Sequence, residues 1–186
     1  AGDTVLIHGG SGGVGSAAIQ IAKALGARVI TTAGSPERCD ACAELGADVT
    51  IDYHDDVPAA VAEATEGRGV DVILDILGAG GLTDNLSMLA TDGRLVIIGL
   101  QRGRKAEINL QALMAKRLTV TGTLLRSRPR PEKAAIVADV AKHVWPMVAD
   151  GRIKPVVHDR LPLAEAMRGQ ELLESGTVFG KVLLVP

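Results

Sequence analysis

Val5-Leu6-Ile7-His8-Gly9-Gly10-Ser11-Gly12-Gly13-Val14-Gly15 is the stretch that decides the fold. An apolar, β-branched run enters a cluster of five glycines. A helical pattern follows, with Val14, Ala18, Ile21 and Leu25 spaced four, three and four apart. Strand, glycine turn and helix are the setting in which Gly10-x-Gly12-x-x-Gly15 reads as a dinucleotide-binding loop. One glycine permits the tight turn. Another removes the Cβ that would keep a pyrophosphate away, and a third brings the helix close to the strand. The free N–H groups near Gly13 and Val14 then meet the phosphates with the positive end of the helix dipole.

The same alternation continues outward. Strands are expected at Thr4–His8, Arg28–Thr32, Val49–Asp52, Val70–Asp75, Arg94–Ile98 and Leu118–Leu125. Helices are expected at Gly13–Leu25, from Ser35 to Gly46, Val57–Thr65 and Leu82–Leu89. Ser35-Pro36-Glu37 is a helix start, with a hydroxyl N-cap, proline at the first position and an acid in the first turn. The pattern predicts an α/β, doubly wound parallel Rossmann sheet of order 3-2-1-4-5-6. Residues 1–150 form this domain, and 151–186 a C-terminal helix-strand appendage. A proline-punctuated basic loop, Arg126 to Pro131, leads into one long helix, Glu132–Ala149. An extended segment at Ile153–Leu161, a helix at Leu163–Ser175 and a last strand at Lys181–Val185 complete the chain.

Composition narrows the function. Of the residues 47% are hydrophobic but only 2% aromatic, so the core is aliphatic, as a parallel sheet buried on both faces requires. The net charge of −2 and the scarcity of stacking rings argue against nucleic-acid binding. No apolar run is long enough to span a membrane, and no signal peptide is visible. The only cysteines, Cys39 and Cys42, form no disulfide framework, which points to a reducing cytoplasm. They lie inside a helix without a second cysteine pair, so packing is favoured over redox or zinc chemistry. The four histidines show no metal spacing. Asp75 reads as a turn or hydrogen-bonding residue, and Arg102-x-Arg104-Lys105 as a solvated loop, the alternative being a loop over the active site. The chain opens Ala1-Gly2-Asp3, without Met and almost on its first strand, and is expected to be a piece of a longer protein.

The second strand selects the cofactor. NAD sites usually place an acid about 20 residues beyond the glycines, on the ribose 2′-hydroxyl. None occurs between Gly26 and Pro36. Ser35 offers a hydroxyl and Arg38 a permanent cation, a combination suited to the 2′-phosphate of NADPH.

The opening run closely resembles the cofactor motif of the zinc-free quinone oxidoreductases, ζ-crystallin relatives within the medium-chain dehydrogenase/reductase superfamily. The resemblance continues through Thr32-Ala33-Gly34-Ser35, Leu45-Gly46-Ala47-Asp48, Ile51-Asp52-Tyr53 and Val72-Ile73-Leu74-Asp75-Ile76-Leu77-Gly78. It extends over Asp92 to Gly99, Thr123 to Arg128 and Gly180 to Pro186, nearly the whole chain. It implies an N-terminal GroES-like catalytic domain that is missing here, to which residues 151–186 would return. It implies that Gly10, Gly12, Gly13 and Val14 serve the pyrophosphate. Gly34, Ser35, Arg38 and Tyr53 would hold the 2′-phosphate end. Leu77 and Gly78 would lie at the ribose. Gly99, Leu100, Gln101, Leu124, Leu125 and Arg126 would flank the nicotinamide. Relatives often carry a basic residue shortly before the last strand; Ser175-Gly176-Thr177 has none, which implies either weaker phosphate binding or compensation by Lys181 or another cation.

The implied activity is metal-free, NADPH-dependent reduction of a quinone or similar conjugated carbonyl, with no catalytic acid assigned within these residues. An enoyl reductase of the same superfamily, or a non-catalytic NADPH-binding module, is the alternative. A short-chain dehydrogenase is excluded, because the only tyrosine, Tyr53, has Val57 where a lysine is needed. The resemblance also implies a homodimer through the edge strand 118–125.

Overall fold

A computed structural model describes all residues, Ala1–Pro186. In chain order its elements are β1 (Thr4–Ile7), α1 (Gly13–Ala24), β2 (Arg28–Ala33), α2 (Pro36–Glu44), β3 (Val49–Asp52), α3 (Val57–Ala64) and β4 (Val70–Asp75). A 3₁₀ turn, Gly78–Gly81, precedes α4 (Leu82–Met88), β5 (Leu89–Ile97), α5 (Leu110–Lys116) and β6 (Thr119–Gly122), and a second, Leu163–Glu165, comes later in the chain. Then come α6 (Arg130–His143), α7 (Trp145–Ala149), β7 (Val157–Pro162), α8 (Ala166–Glu174) and β8 (Lys181–Val185).

The six-stranded sheet has the order β3-β2-β1-β4-β5-β6, and every pairing in it is parallel. This is the expected doubly wound arrangement. Because successive strand residues face opposite sides, the central strands β1, β2 and β4 feed two cores. Leu6, Ile30, Ile73 and Leu95 pack toward Val61 and Leu86 of α3 and α4. Ile7 and Val29 pack toward Ile19, Cys39 and Cys42 of α1 and α2. β7 and β8 form a separate two-stranded parallel sheet.

Several expected boundaries change. The long helix Glu132–Ala149 is two helices, α6 and α7, meeting at Val144. Pro146 explains the break, since its ring and missing N–H cannot continue a helix. Helix α5 lies in a segment without an assigned element, capped by the Asn109 side chain, which accepts from Gln111 and Ala112 N–H groups. β5 starts at Leu89, where the helix was expected to end. β6 stops at Gly122 rather than Leu125, so Leu124 and Leu125 lie beyond the ladder.

Candidate functional site

The glycines divide their work differently from the motif as written. Gly9, just ahead of it, takes the positive φ of the turn, +72°. A Cβ on Gly10 would overlap the Thr31 hydroxyl and come within 3.0 Å of Cys42 Sγ, so Gly10 serves packing of the turn onto β2 and α2. A Cβ on Gly15 would overlap the Gly9 carbonyl oxygen, so Gly15 lets α1 lie against the turn. Gly12 is open, with only the Gly9 oxygen at 3.4 Å. Gly12 also caps α1 without a side-chain hydrogen bond. The first N–H groups of α1 have no intrahelical acceptor and face outward with the helix dipole. Half-exposed Val14 joins Gly12, Gly13, Gly15 and Gln101 around a cleft of about 190 Å³.

Lys181 reaches this cleft from β8. A Cβ on Gly13 would come 2.8 Å from Lys181 Nζ. The preceding residue is tied to the same loop, because Gly180 N–H donates to the Ser11 carbonyl at 2.8 Å. Lys181 enters no ion pair. An ammonium beside a helix N-terminus is a like-signed arrangement that an anion relieves.

A larger cavity of about 480 Å³ adjoins the first, with His8, Gly9, Ile76 and Gln101 common to both. Tyr53 forms its far side. The register Ala33–Asp52 between β2 and β3 brings Tyr53 beside Gly34, where a side chain would overlap the phenol. Ser35 caps α2, its hydroxyl accepting from Arg38 N–H at 3.4 Å. Arg38 is half-buried and joins no ion pair. Gly34, Ser35, Arg38 and Tyr53 are thus gathered at the ends of β2 and β3.

The wall after β4 is shaped by Asp75, whose fully buried carboxylate accepts from Leu77 and Gly78 N–H groups at 2.9 Å each. Gly78 takes φ +73° there. Gly99 sits against Ile76, where a Cβ would meet its carbonyl oxygen at 2.9 Å, and Gln101 N–H donates to that oxygen at 3.0 Å. Leu77 and Gln101 line the large cavity, but Leu124, Leu125 and Arg126 line neither. These three stand in the exposed segment after β6.

Composition and spacing did not reveal the floor. His8 is buried between Thr32 and Asn85, with Nδ1 3.3 Å from the Thr32 hydroxyl and Nε2 2.7 Å from Asn85 Oδ1. With Nε2–H donating to the amide, Nδ1 accepts from Thr32, whose oxygen also accepts from Gly9 N–H at 3.1 Å. Burial pushes the imidazole below its ordinary pKa, which favours its neutral form. The only sequence signal was polar residues ending apolar runs.

The thiols do not join the site. Both are buried, and burial raises Cys39 and pushes Cys42 up to about 11. No group of three or more His, Cys, Asp or Glu side chains is placed to hold a metal.

With this geometry in view, similarity to known proteins is informative. The family model described as zinc-binding dehydrogenase matches residues 13–142. The quinone oxidoreductase of Pseudomonas aeruginosa is 35% identical over 193 residues, covering 100% of this chain and 57% of its own. The solved Escherichia coli quinone oxidoreductase complexed with NADPH aligns with a TM-score of 0.85 at 32% identity, covering 99% of this chain and 57% of that one. A solved NAD-dependent alcohol dehydrogenase aligns at 0.84 and 37% identity, covering 100% and 52%. The chain therefore spans about half the length of the curated relatives it matches. The donor set of these 186 residues does not fit the zinc in the family's description.

Proposed function

Since this chain belongs to the zinc-binding dehydrogenase family, in the medium-chain dehydrogenase/reductase superfamily, we propose that it binds NADPH as the cofactor-holding part of a quinone reductase. The substrate would be a quinone or a similar conjugated carbonyl. One observation carries the reading: an open glycine cradle, flanked by the unpaired Lys181, runs into a cavity bounded by Tyr53, which lies against Gly34 at the end of β2, where Ser35 and Arg38 follow and no acid stands.

The residues present suit each part of the group. Gly12 and Gly13 admit the pyrophosphate to the N-terminus of α1, with Lys181 alongside. Ser35 and Arg38 take the 2′-phosphate, and Tyr53 covers the adenosine end. Leu77 and Gly78, on the turn that Asp75 holds, meet the ribose. Gly99, Leu100 and Gln101, with Leu124, Leu125 and Arg126 beyond them, lie on the nicotinamide side. When bound, reduced nicotinamide supplies a hydride to the acceptor. The chain's own contribution is orientation and exclusion of water.

Titration of the 186-residue chain with each reduced cofactor tests this. We expect NADPH to bind at least tenfold more tightly than NADH. Equal affinities, or a preference for NADH, would return the site to the NAD class.

The reading extends to assembly. β6 pairs only with β5, so one side of its backbone is unpartnered. Such an edge favours pairing with a second copy. We expect a dimer in sedimentation at micromolar concentration. A monomer throughout that range would refute the edge-strand interface.

A further inference from the structure

The large cavity is lined by three carboxylates, Asp55, Asp56 and Asp84, and by one permanent cation, Arg102. A polyanionic ligand entering it meets repulsion unless a cation compensates. Arg102 is the group able to do so, and it joins none of the molecule's ion pairs.

Its mounting is firm. Arg102 N–H donates to the Leu77 carbonyl at 2.8 Å, and its own carbonyl accepts from Gly80 N–H at 3.0 Å. Gln101 N–H to the Ile76 carbonyl, and Ala79 N–H to the Gly103 carbonyl, extend the seam on either side. The approach is close enough that a Cβ on Gly80 would stand 2.6 Å from Arg102 Cβ. The loop after β5 is thereby fastened to the turn after β4, and the side chain extends from a fixed base.

A second, independent feature lies on the same wall. Asn85 is 1% exposed, and while its Oδ1 engages His8, its amide nitrogen has no partner. An unpaired buried amide is costly, which marks this wall as suited to a ligand oxygen. His8 and Gly9 join the large cavity to the cleft beneath Gly12 and Gly13. Gln101, the neighbour of Arg102 in the chain, lines both spaces, so Arg102 is mounted at this junction.

We propose that Arg102 is a second cation for the cofactor's 5′-diphosphate, set in the large cavity next to Gln101, which lines both that cavity and the glycine cleft. This rests on the dinucleotide reading above. The 5′-diphosphate is shared by NADPH and NADH, so the contact is blind to the 2′-phosphate.

Calorimetric titration of NADPH and of NADH into the wild-type chain, Arg102→Gln and Arg102→Ala tests the assignment. Both variants should keep the wild-type melting temperature, because the side chain is exposed. Both should weaken the two cofactors by the same factor, about tenfold, and reduce the salt dependence of binding. Wild-type affinity in both variants overturns the proposal. So does a loss confined to NADPH, which would place the guanidinium at the 2′-phosphate. A wild-type chain that binds neither cofactor overturns the dinucleotide reading and this inference together. Normal wild-type binding with unimpaired variants overturns this inference alone.

Discussion

Gly15→Ala is expected to destabilise the chain by about 3 kcal/mol and to abolish dinucleotide binding, although alanine is the better helix former. Propensity alone predicts the opposite sign, since glycine inside a helix is worse than alanine by about 1 kcal/mol. Gly15 is in the first turn of α1, and its backbone has ordinary negative φ. The obstacle is space. The new Cβ would overlap the Gly9 carbonyl oxygen and stand 2.7 Å from Gly10 Cα, both backbone atoms. Neither can swing aside as a side chain would. α1 must lift from the turn, which opens the core around Ile19 and misaims its first N–H groups. Overpacking of this kind typically costs about 1–3 kcal/mol, and a rigid backbone obstacle puts the site at the upper end. Gly12→Ala is the control, because its Cβ meets only the Gly9 oxygen, at 3.4 Å. It should unfold in urea near the wild-type midpoint yet lose NADPH affinity, since the methyl occupies the cradle. A Gly15→Ala chain as stable as wild type would remove the close helix–turn approach from the account.

Arg38→Glu is expected to weaken NADPH by at least a hundredfold and NADH by less than threefold. The arginine lies in the first turn of α2, behind the Ser35 cap, with no carboxylate engaging it. A charge-assisted hydrogen bond to a phosphate is worth about 1.5–3 kcal/mol, and reversal of the charge adds repulsion. Each 1.4 kcal/mol or so is tenfold in affinity. Stability should hold, because an acid in a first helical turn interacts well with the dipole. Binding loss therefore cannot be ascribed to unfolding of α2. Parallel titrations decide the matter. Equal losses for the two cofactors would sink the 2′-phosphate assignment at Arg38.

Much of the architecture was legible because its causes are local. The run from Val5 to Gly15 carries its own strand, turn and helix. Ser35-Pro36-Glu37 writes a helix start, and the hydroxyl does cap α2. Six apolar runs separated by helical patterns were enough for the sheet order. Asp75 was readable as a turn residue, and it binds the two N–H groups that follow it. Pro146 was visible too, but the apolar pattern on either side of it outweighed its effect, and one helix was expected where two exist. Helix α5 escaped notice because it is a short segment following a charged loop, and it buries no residue to leave a clear stripe.

The site divides along the same line. Sequence by itself determined the glycine cradle, the absence of an acid after β2 and the pairing of Ser35 with Arg38, since each depends on neighbouring residues or on strand ends. Only the tertiary structure decided that Gly10 faces the core and Gly12 the cleft. It alone brought Lys181 of β8 to Gly13, His8 to Asn85, and Arg102 to the seam between two loops. These juxtapositions depend on strand order, on the pleat that sends alternate side chains to opposite faces, and on backbone hydrogen bonds between loops far apart in the chain. No local pattern encodes them. They arise when the parallel sheet closes and the carboxyl ends of its strands meet.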